Sequence, residues 1–333
     1  MADVKRRDYD LFDIAYVKQQ LDKLVVGQHR AKRHLLIAAH LNYLQYYYKF
    51  VLPPTKEVPN FTKLSVLLVG STGVGKTFLV KTLADILHVP LLHVDTAFFV
   101  PPGWLGSDGV FRGYVTTLME QCTLLAGSGG FSVEGLLRRS IIFVDELDKL
   151  ALGGMSEQVD NSFVIAKQQA LLRFIEGQDL TRLAFVGIPL AIPSINTEPM
   201  LVVAGGTFAT HLRVNKSRIG FNTDVKEPTT KLDKAWLERV GLISELCGRI
   251  GTIVQLEDMS TELLKKIATT GENCLKTQYE FLLKRKITDK EITELVSKTL
   301  DLKLGARGLT STFLAAFEDE VYDVLLTQSQ SMY

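Results

Sequence analysis

The chain has 333 residues, 46% of them hydrophobic and 23% charged, with 38 basic against 37 acidic side chains and a formal net charge of +1. That length allows more than one compact core, and the near balance of charge gives no global pull toward nucleic acid. Three cysteines, Cys122, Cys247 and Cys274, lie too far apart for zinc-ligand or disulfide spacing, which fits a reducing compartment.

Met1 to Asp10 carries Lys5, Arg6 and Arg7 with no apolar run behind them, so it does not read as a signal peptide. No apolar stretch reaches bilayer length. Neither a membrane nor a nucleic-acid partner is expected, and the cytoplasm is the expected location. Gln28 to Phe50 reads as one long helix, in which Tyr46, Tyr47 and Tyr48 pack rather than stack on bases; Pro53, Pro54 and Pro59 mark a loop after it. The apolar run Leu64, Val66, Leu67, Leu68 and Val69 reads as a buried strand.

That strand drops straight into Gly70, Ser71, Thr72, Gly73, Val74, Gly75, Lys76 and Thr77, followed by Phe78 and a helix with Leu79, Val80, Leu83, Ile86 and Leu87 on one face. Strand, glycine-rich turn and helix in this order form a phosphate-binding loop. Glycines let successive backbone N–H groups turn inward on phosphate oxygens, and a helix opening at Gly75 adds its positive end. The motif places Lys76 on the β- and γ-phosphates of ATP and the Thr77 hydroxyl on Mg²⁺, with residues 70 to 78 as the nucleotide-contacting set.

Leu91 to Asp95 reads as the next strand, Pro101 to Gly113 as a loop, and Leu118 to Leu125 as helix. Ile141 to Val144 is a buried strand that runs into Asp145 and Glu146. Two carboxylates at the mouth of a strand are costly unless they meet a cation or water. Beside a phosphate loop, Asp145 is assigned to the Mg²⁺ shell and Glu146 to deprotonating the attacking water. A helix around Gln168 to Ile175 ends at Gly177, and a strand Met200 to Ala204 ends at Gly205 and Gly206. Alternating strands and helices predict an α/β fold with a parallel sheet covered on both faces. Amphipathic helices over Thr261 to Leu283 and Asp289 to Leu302, then a last helix after Gly308, predict a small, mainly helical C-terminal domain starting near Glu257.

In this order the motifs resemble the AAA+ ATPases, and in detail the ClpX/HslU family of protein unfoldases, from about Leu21 to Leu325. Val25-Val26-Gly27-Gln28 resembles the family's adenine-gripping segment. Gly103-Trp104-Leu105-Gly106 falls where the family carries an aromatic–aliphatic pair on its pore loop, and residues 168 to 177 resemble the helix after the second carboxylate motif. Cys247-Gly248-Arg249-Ile250 resembles the arginine-finger segment, and Gly305-Ala306-Arg307-Gly308-Leu309 the second sensor.

The resemblance implies a P-loop large domain with strand order 5-1-4-3-2 and a small C-terminal domain. The expected division is an N-terminal helical segment, 1–60, a nucleotide-binding core, 61–256, and the small domain, 257–333. It implies that Arg249 acts in trans on a neighbouring subunit's ATP and Arg307 in cis, which requires a homo-oligomeric ring, a hexamer. It implies protein substrates gripped by Trp104 and Leu105. Ile219-Gly220-Phe221, in a polar stretch, matches the family's tripeptide that docks on a ClpP-type peptidase ring.

Departures from the family pattern are expected as well. The family's four-cysteine N-terminal zinc domain has no counterpart in these residues. The basic pore-entrance insertion is replaced by a tight hairpin within Arg182 to Thr197, and the second pore loop, Gly153 to Ala166, keeps Glu157 and Asp160 but no arginine. Thr207 is the candidate first sensor. The expected activity is ATP-driven unfolding through a pore. The alternatives are an ATPase that dismantles a specific complex without a peptidase, and a nucleotide-switch scaffold.

Overall fold

The computed structural model describes residues 13–51, 63–96, 107–129, 131–152, 161–177, 196–209, 231–271 and 274–330. These fall into two compact units: Met1–Leu21, His29–Val69 and Thr77–Gln255 make the first, and Asp22–Gln28, Gly70–Lys76 and Leu256–Tyr333 the second.

Among the described residues the first unit is built on five strands: β1 (Val66–Val69), β2 (Leu91–Asp95), β3 (Ile141–Asp145), β4 (Leu201–Gly206) and β5 (Thr252–Gln255). They form one sheet in the order β2-β3-β4-β1-β5, the expected 5-1-4-3-2. Every pairing is parallel. Every residue of β1 and β4, and all of β3 except Asp145, is buried. Side chains alternate between faces along a strand, so both faces of the sheet are covered, as parallel sheets require. The register aligns Asp95 with Asp145, which brings the C-terminal ends of β2 and β3 to one sheet edge.

The first-unit core joins Leu67, Val94, Ile142, Val144, Phe174, Val202 and Phe208 with Trp236 and Leu246. Its helices include α1 (Ile14–Leu24, whose last residues belong to the second unit), α2 (His29–Tyr46), α3 (Lys76–Leu87), α4 (Ser107–Gly129), α5 (Val133–Arg139), α6 (Asn161–Gly177), α7 (Lys234–Arg239) and α8 (Ser244–Arg249). The second unit carries α9 (Thr261–Thr269), α10 (Leu275–Leu283), α11 (Asp289–Asp301) and α12 (Arg307–Gln330) around Leu264, Ile292, Val296 and Phe313. All three cysteines are buried free thiols, and burial pushes Cys122 up to about 12 and Cys247 to about 11.

The elements differ from the sequence expectation in instructive places. The long helix ends in a π-helical turn, Tyr47–Val51, where the Tyr43 and Tyr47 rings stack 5.8 Å apart. The stretch read as one helix from Thr261 to Leu283 is two, because Gly271 takes φ +105° between α9 and α10. Such a conformation ends a helix at little cost only for glycine. Helix α4 begins at Ser107 and passes through Gly113, so residues 107 to 113, read as loop, are helical. β5, α1 and α5 lie outside the elements expected from the sequence. Among the described residues, no helix is long and apolar enough to cross a membrane.

Candidate nucleotide site

β1 leads into the phosphate loop at Gly70. Two glycines of the loop, Gly73 at φ +78° and Gly75 at φ +96°, use backbone conformations that side chains resist. Lys76 opens α3 and is buried; its ammonium donates to the Gly70 carbonyl at 2.6 Å and the Ser71 carbonyl at 3.1 Å. The lysine thus holds the loop closed around its own head group. Helix α3 starts one residue after Gly75, not at it.

Other segments of the second unit converge on this loop. Ala306 donates its N–H to the Gly73 carbonyl at 3.0 Å. A Cβ on Gly305 would lie 2.8 Å from the Gly73 carbonyl carbon, so two glycines permit the approach. Arg307, the expected sensor, follows directly and is exposed. Ser71 Oγ donates to Asp258 at 3.0 Å. In the expected adenine segment Val25 is buried and Val26 half-buried, and the neighbouring Gln28, 3% exposed with φ +55°, pairs fully with the Glu257 backbone. Its Nε2 donates to the Glu257 carbonyl at 2.9 Å, and its Oε1 accepts from the Glu257 N–H at 2.9 Å. Sequence reading had placed Gln28 only within a motif. No local signal marks its role, because Gln28 stands between Gly27 and His29 and its partner is 229 residues away.

In the first unit, the acidic pair stands at the C-terminal edge of the sheet. Thr77 Oγ1 donates to Asp145 Oδ2 at 3.2 Å, uniting the hydroxyl and carboxylate that the sequence assigned to Mg²⁺. The Glu146 N–H donates to Asp145 Oδ1 at 2.9 Å. His93, on β2, lies 3.4 Å from Asp145 Oδ2 and stacks on Phe143 with ring centroids 5.5 Å apart. Burial pushes the Asp145 carboxyl up, but the bonds from His93, the Glu146 N–H and Thr77 outweigh it and hold the group below the ordinary carboxylate value. The bond to Asp145 correspondingly raises His93, against the opposing effect of burial. His93 escaped sequence reading because an isolated histidine in a strand carries no motif.

Glu146 is exposed and sits in the left-handed region, φ 57° and ψ 36°. For a non-glycine residue that conformation costs about 1 kcal/mol or more, so its surroundings must impose it. Its carbonyl accepts from Thr96 Oγ1 at 2.7 Å and from the Lys149 N–H at 2.9 Å. Thr207, the candidate first sensor, donates from Oγ1 and N–H to the Asp148 carboxylate at 2.7 and 3.1 Å. Phe78, just beyond the loop, is 55% exposed. Arg249, at the end of α8, is exposed; its Nε and Nη2 reach Glu176 Oε1 at 2.7 and 2.6 Å. Trp104, Leu105, Ile219, Gly220 and Phe221 lie outside the described residues, as do the 182–195 and 153–160 stretches.

The donor set suits a hard cation. Thr77 and Asp145 offer only oxygen, the preference of Mg²⁺, and among the described residues no cluster of three or more His, Cys, Asp or Glu side chains makes a self-sufficient cage. A cation held partly by phosphate and water fits such a pair.

A parallel sheet in this order, with a phosphate loop after β1 and paired acids after β3, defines an AAA-type nucleotide-binding protein, and residues 66–212 match the ATPase family associated with various cellular activities (AAA). ATP-dependent Clp protease ATP-binding subunit ClpX 2 of Wolinella succinogenes is 31% identical over 310 residues, covering 88% of this chain and 73% of that protein. ClpX of Treponema denticola is 30% identical over 331 residues, 92% of this chain and 76% of that protein, and ClpX of Bacteroides fragilis 28% over 336 residues with the same shares. The chain belongs to the ClpX family and is an ATPase.

Proposed function

We propose that this chain is an ATP- and Mg²⁺-dependent protein unfoldase that works as a hexameric ring in the cytoplasm, threads polypeptide through a central pore and delivers it to a ClpP-type peptidase. The observation that carries the reading is the Thr77–Asp145 pair beside the strained Glu146, in a chain whose named relatives are ATP-binding subunits of Clp protease. Residues 1–256 form the motor domain in this reading and 257–333 its small partner.

Residues Gly70 to Phe78 enclose the triphosphate, with Lys76 turning its ammonium from loop carbonyls to the β- and γ-phosphates. Val25 and Val26 flank the base. Thr77 and Asp145 hold Mg²⁺, which when bound neutralises charge on the phosphates. Glu146 takes the proton of the attacking water. Arg307 supplies a permanently charged fork to the nucleotide bound by its own chain. Arg249 leaves Glu176 to reach a nucleotide on the adjacent subunit; an exposed ion pair of this kind is weak enough to exchange. Trp104 and Leu105 grip substrate by contact without reading sequence, and Ile219, Gly220 and Phe221 dock the peptidase.

The test couples three assays on the full chain: ATPase rate with and without an unfolded protein, unfolding of a stable fluorescent protein, and its degradation with a cognate ClpP. The expected result is substrate-stimulated hydrolysis, unfolding that Trp104→Ala abolishes, and degradation that Phe221→Ala abolishes while unfolding persists. Hydrolysis without unfolding by the unaltered chain overturns the pore reading; unfolding with no response to ClpP overturns the peptidase partner.

A further inference from the structure

Thr96 directly follows β2, is 1% exposed, and belongs to no motif. Three bonds converge on it. Its hydroxyl donates to the Glu146 carbonyl at 2.7 Å, its N–H donates to the Asp145 carbonyl at 3.3 Å, and its own carbonyl accepts from Lys167 Nζ at 3.2 Å. One buried side chain and its backbone therefore grip both carboxylate residues through their main chain, while Lys167 on α6 braces the gripping residue.

The geometry matters because Glu146 is held where a non-glycine residue does not rest by preference. With φ 57° and ψ 36°, the direction of its Cα–Cβ bond is fixed by the peptides on either side. The N–H side is tied to Asp145 Oδ1 and the carbonyl side to Thr96 and Lys149. Lys149 is in the same short turn and moves with Glu146, whereas Thr96 is anchored at the end of the neighbouring strand, one residue beyond β2. The Thr96 hydroxyl is thus the tie that references the Glu146 peptide to the sheet. Without it the peptide is free to relax toward the right-handed region, and the carboxylate swings with it.

We propose that Thr96 is a positioning residue for ATP hydrolysis, its hydroxyl locking the left-handed peptide of Glu146 so that the carboxylate is aimed at the attacking water, with Lys167 as the outer brace. The proposal rests on Glu146 being the base. It assigns Thr96 no contact with nucleotide, so its loss acts on turnover and leaves binding alone.

The experiment compares Thr96→Val, Thr96→Ser, Lys167→Met and Glu146→Gln in the full chain, reading kcat and KM for ATP, affinity for a fluorescent ATP analogue, and thermal unfolding. Valine keeps the shape and removes the hydroxyl. Thr96→Val is expected to lower kcat about 10- to 100-fold, the scale of a misplaced reacting group, with KM and analogue affinity within about twofold. Thr96→Ser, which restores the hydroxyl, is expected within about threefold of the unaltered chain. Lys167→Met is expected to lower kcat about threefold at constant KM. A normal kcat for Thr96→Val, equal losses in the valine and serine forms, or a loss confined to KM and affinity overturns the proposal. If Thr96→Val does not fold, Lys167→Met decides, and an unchanged kcat there overturns it. Glu146→Gln separates the two levels: turnover persisting in that variant defeats the base assignment itself, whereas its loss alongside a normal Thr96→Val defeats only the role of Thr96.

Discussion

Gln168, Thr96 and Lys63 of the first unit tie their polar side chains to backbone of separate elements, whereas around α10 to α12 of the second unit exposed charged side chains bond one another. Gln168, 0% exposed, donates to the Leu150 and Gly241 carbonyls at 2.6 and 3.1 Å and accepts the Ile243 N–H at 2.7 Å. Thr96 and Lys63 are used in the same way. In the helical unit, Arg285 reaches Glu320 and Glu291 from an exposed position, and Thr288 and Glu291 close a capping box at the start of α11. Buried, fully satisfied polar groups specify one geometry because any displacement strands a donor or acceptor without water. Surface pairs and caps stabilise helices but tolerate movement. The acidic edge is wired in the first manner, through Thr96 and the Glu146 backbone, where reacting groups must be held to fractions of an ångström.

The largest effect expected is on chemistry. Glu146→Gln should retain ATP binding and reduce turnover by a factor of about 10² to 10⁴, since the carboxylate acts only in the transition state; single-turnover hydrolysis at the normal rate would remove Glu146 from the mechanism. Next is the helical core. Phe313 is fully buried, with the Tyr279 and Phe317 rings 5.3 and 6.2 Å away. Phe313→Ala should cost about 3–5 kcal/mol and strip hydrogen-exchange protection from α9 to α12 while the amides of β1, β3 and β4 keep theirs. Loss of protection in the sheet as well would mean that the two units do not differ in the way described.

The contrast in polar wiring is sharpened by Gln168→Leu against Arg285→Met. The first removes the bonds to two carbonyls and one N–H inside the protein, of which the Gly241 carbonyl keeps a bond from the Leu152 N–H, and should cost about 2–4 kcal/mol in urea unfolding. A pH test of intermediate size concerns Lys63, whose ammonium donates to the Ile175 and Thr197 carbonyls at 2.9 and 3.2 Å. Burial lowers it from 10.5 to about 8, against the opposing pull of Glu198. Between those values the unfolded chain binds the proton and the folded chain does not, so stability should rise as pH climbs from about 8 toward 10.5. Melting temperatures across that window should show the rise in the unaltered chain and lose it in Lys63→Met; parallel curves would refute the assignment. Smallest is Arg285→Met, expected to cost no more than about 1 kcal/mol. A cost equal to that of Gln168→Leu would erase the distinction between the buried and the exposed wiring.

Much of the fold and half of the site were legible because their signals are local. The run from Leu64 to Thr77 encodes strand, loop and helix in contiguous residues, and the apolar stretch before Asp145 and Glu146 encodes a buried strand ending at solvent. Gly271 was visible as a glycine but not as a helix break, since many helices carry glycine without ending. Ser107 to Gly113 misled in the opposite direction. His93, Gln28 and Thr96 gave no warning, because each matters through a partner far away in sequence.

From sequence alone, the chain's glycine-rich turn, paired acids and strand–helix alternation determine a P-loop ATPase architecture, because backbone freedom at glycine and the period of burial are properties of neighbouring residues. Tertiary structure alone decides that Thr77 meets Asp145, that Gln28 closes on Glu257, and that Thr96 holds Glu146 in a left-handed turn. Those contacts exist only once parallel pairing has brought separate strand ends to one edge and helices have packed around them, and no local preference of threonine, glutamine or glutamate records where the fold will place its partner.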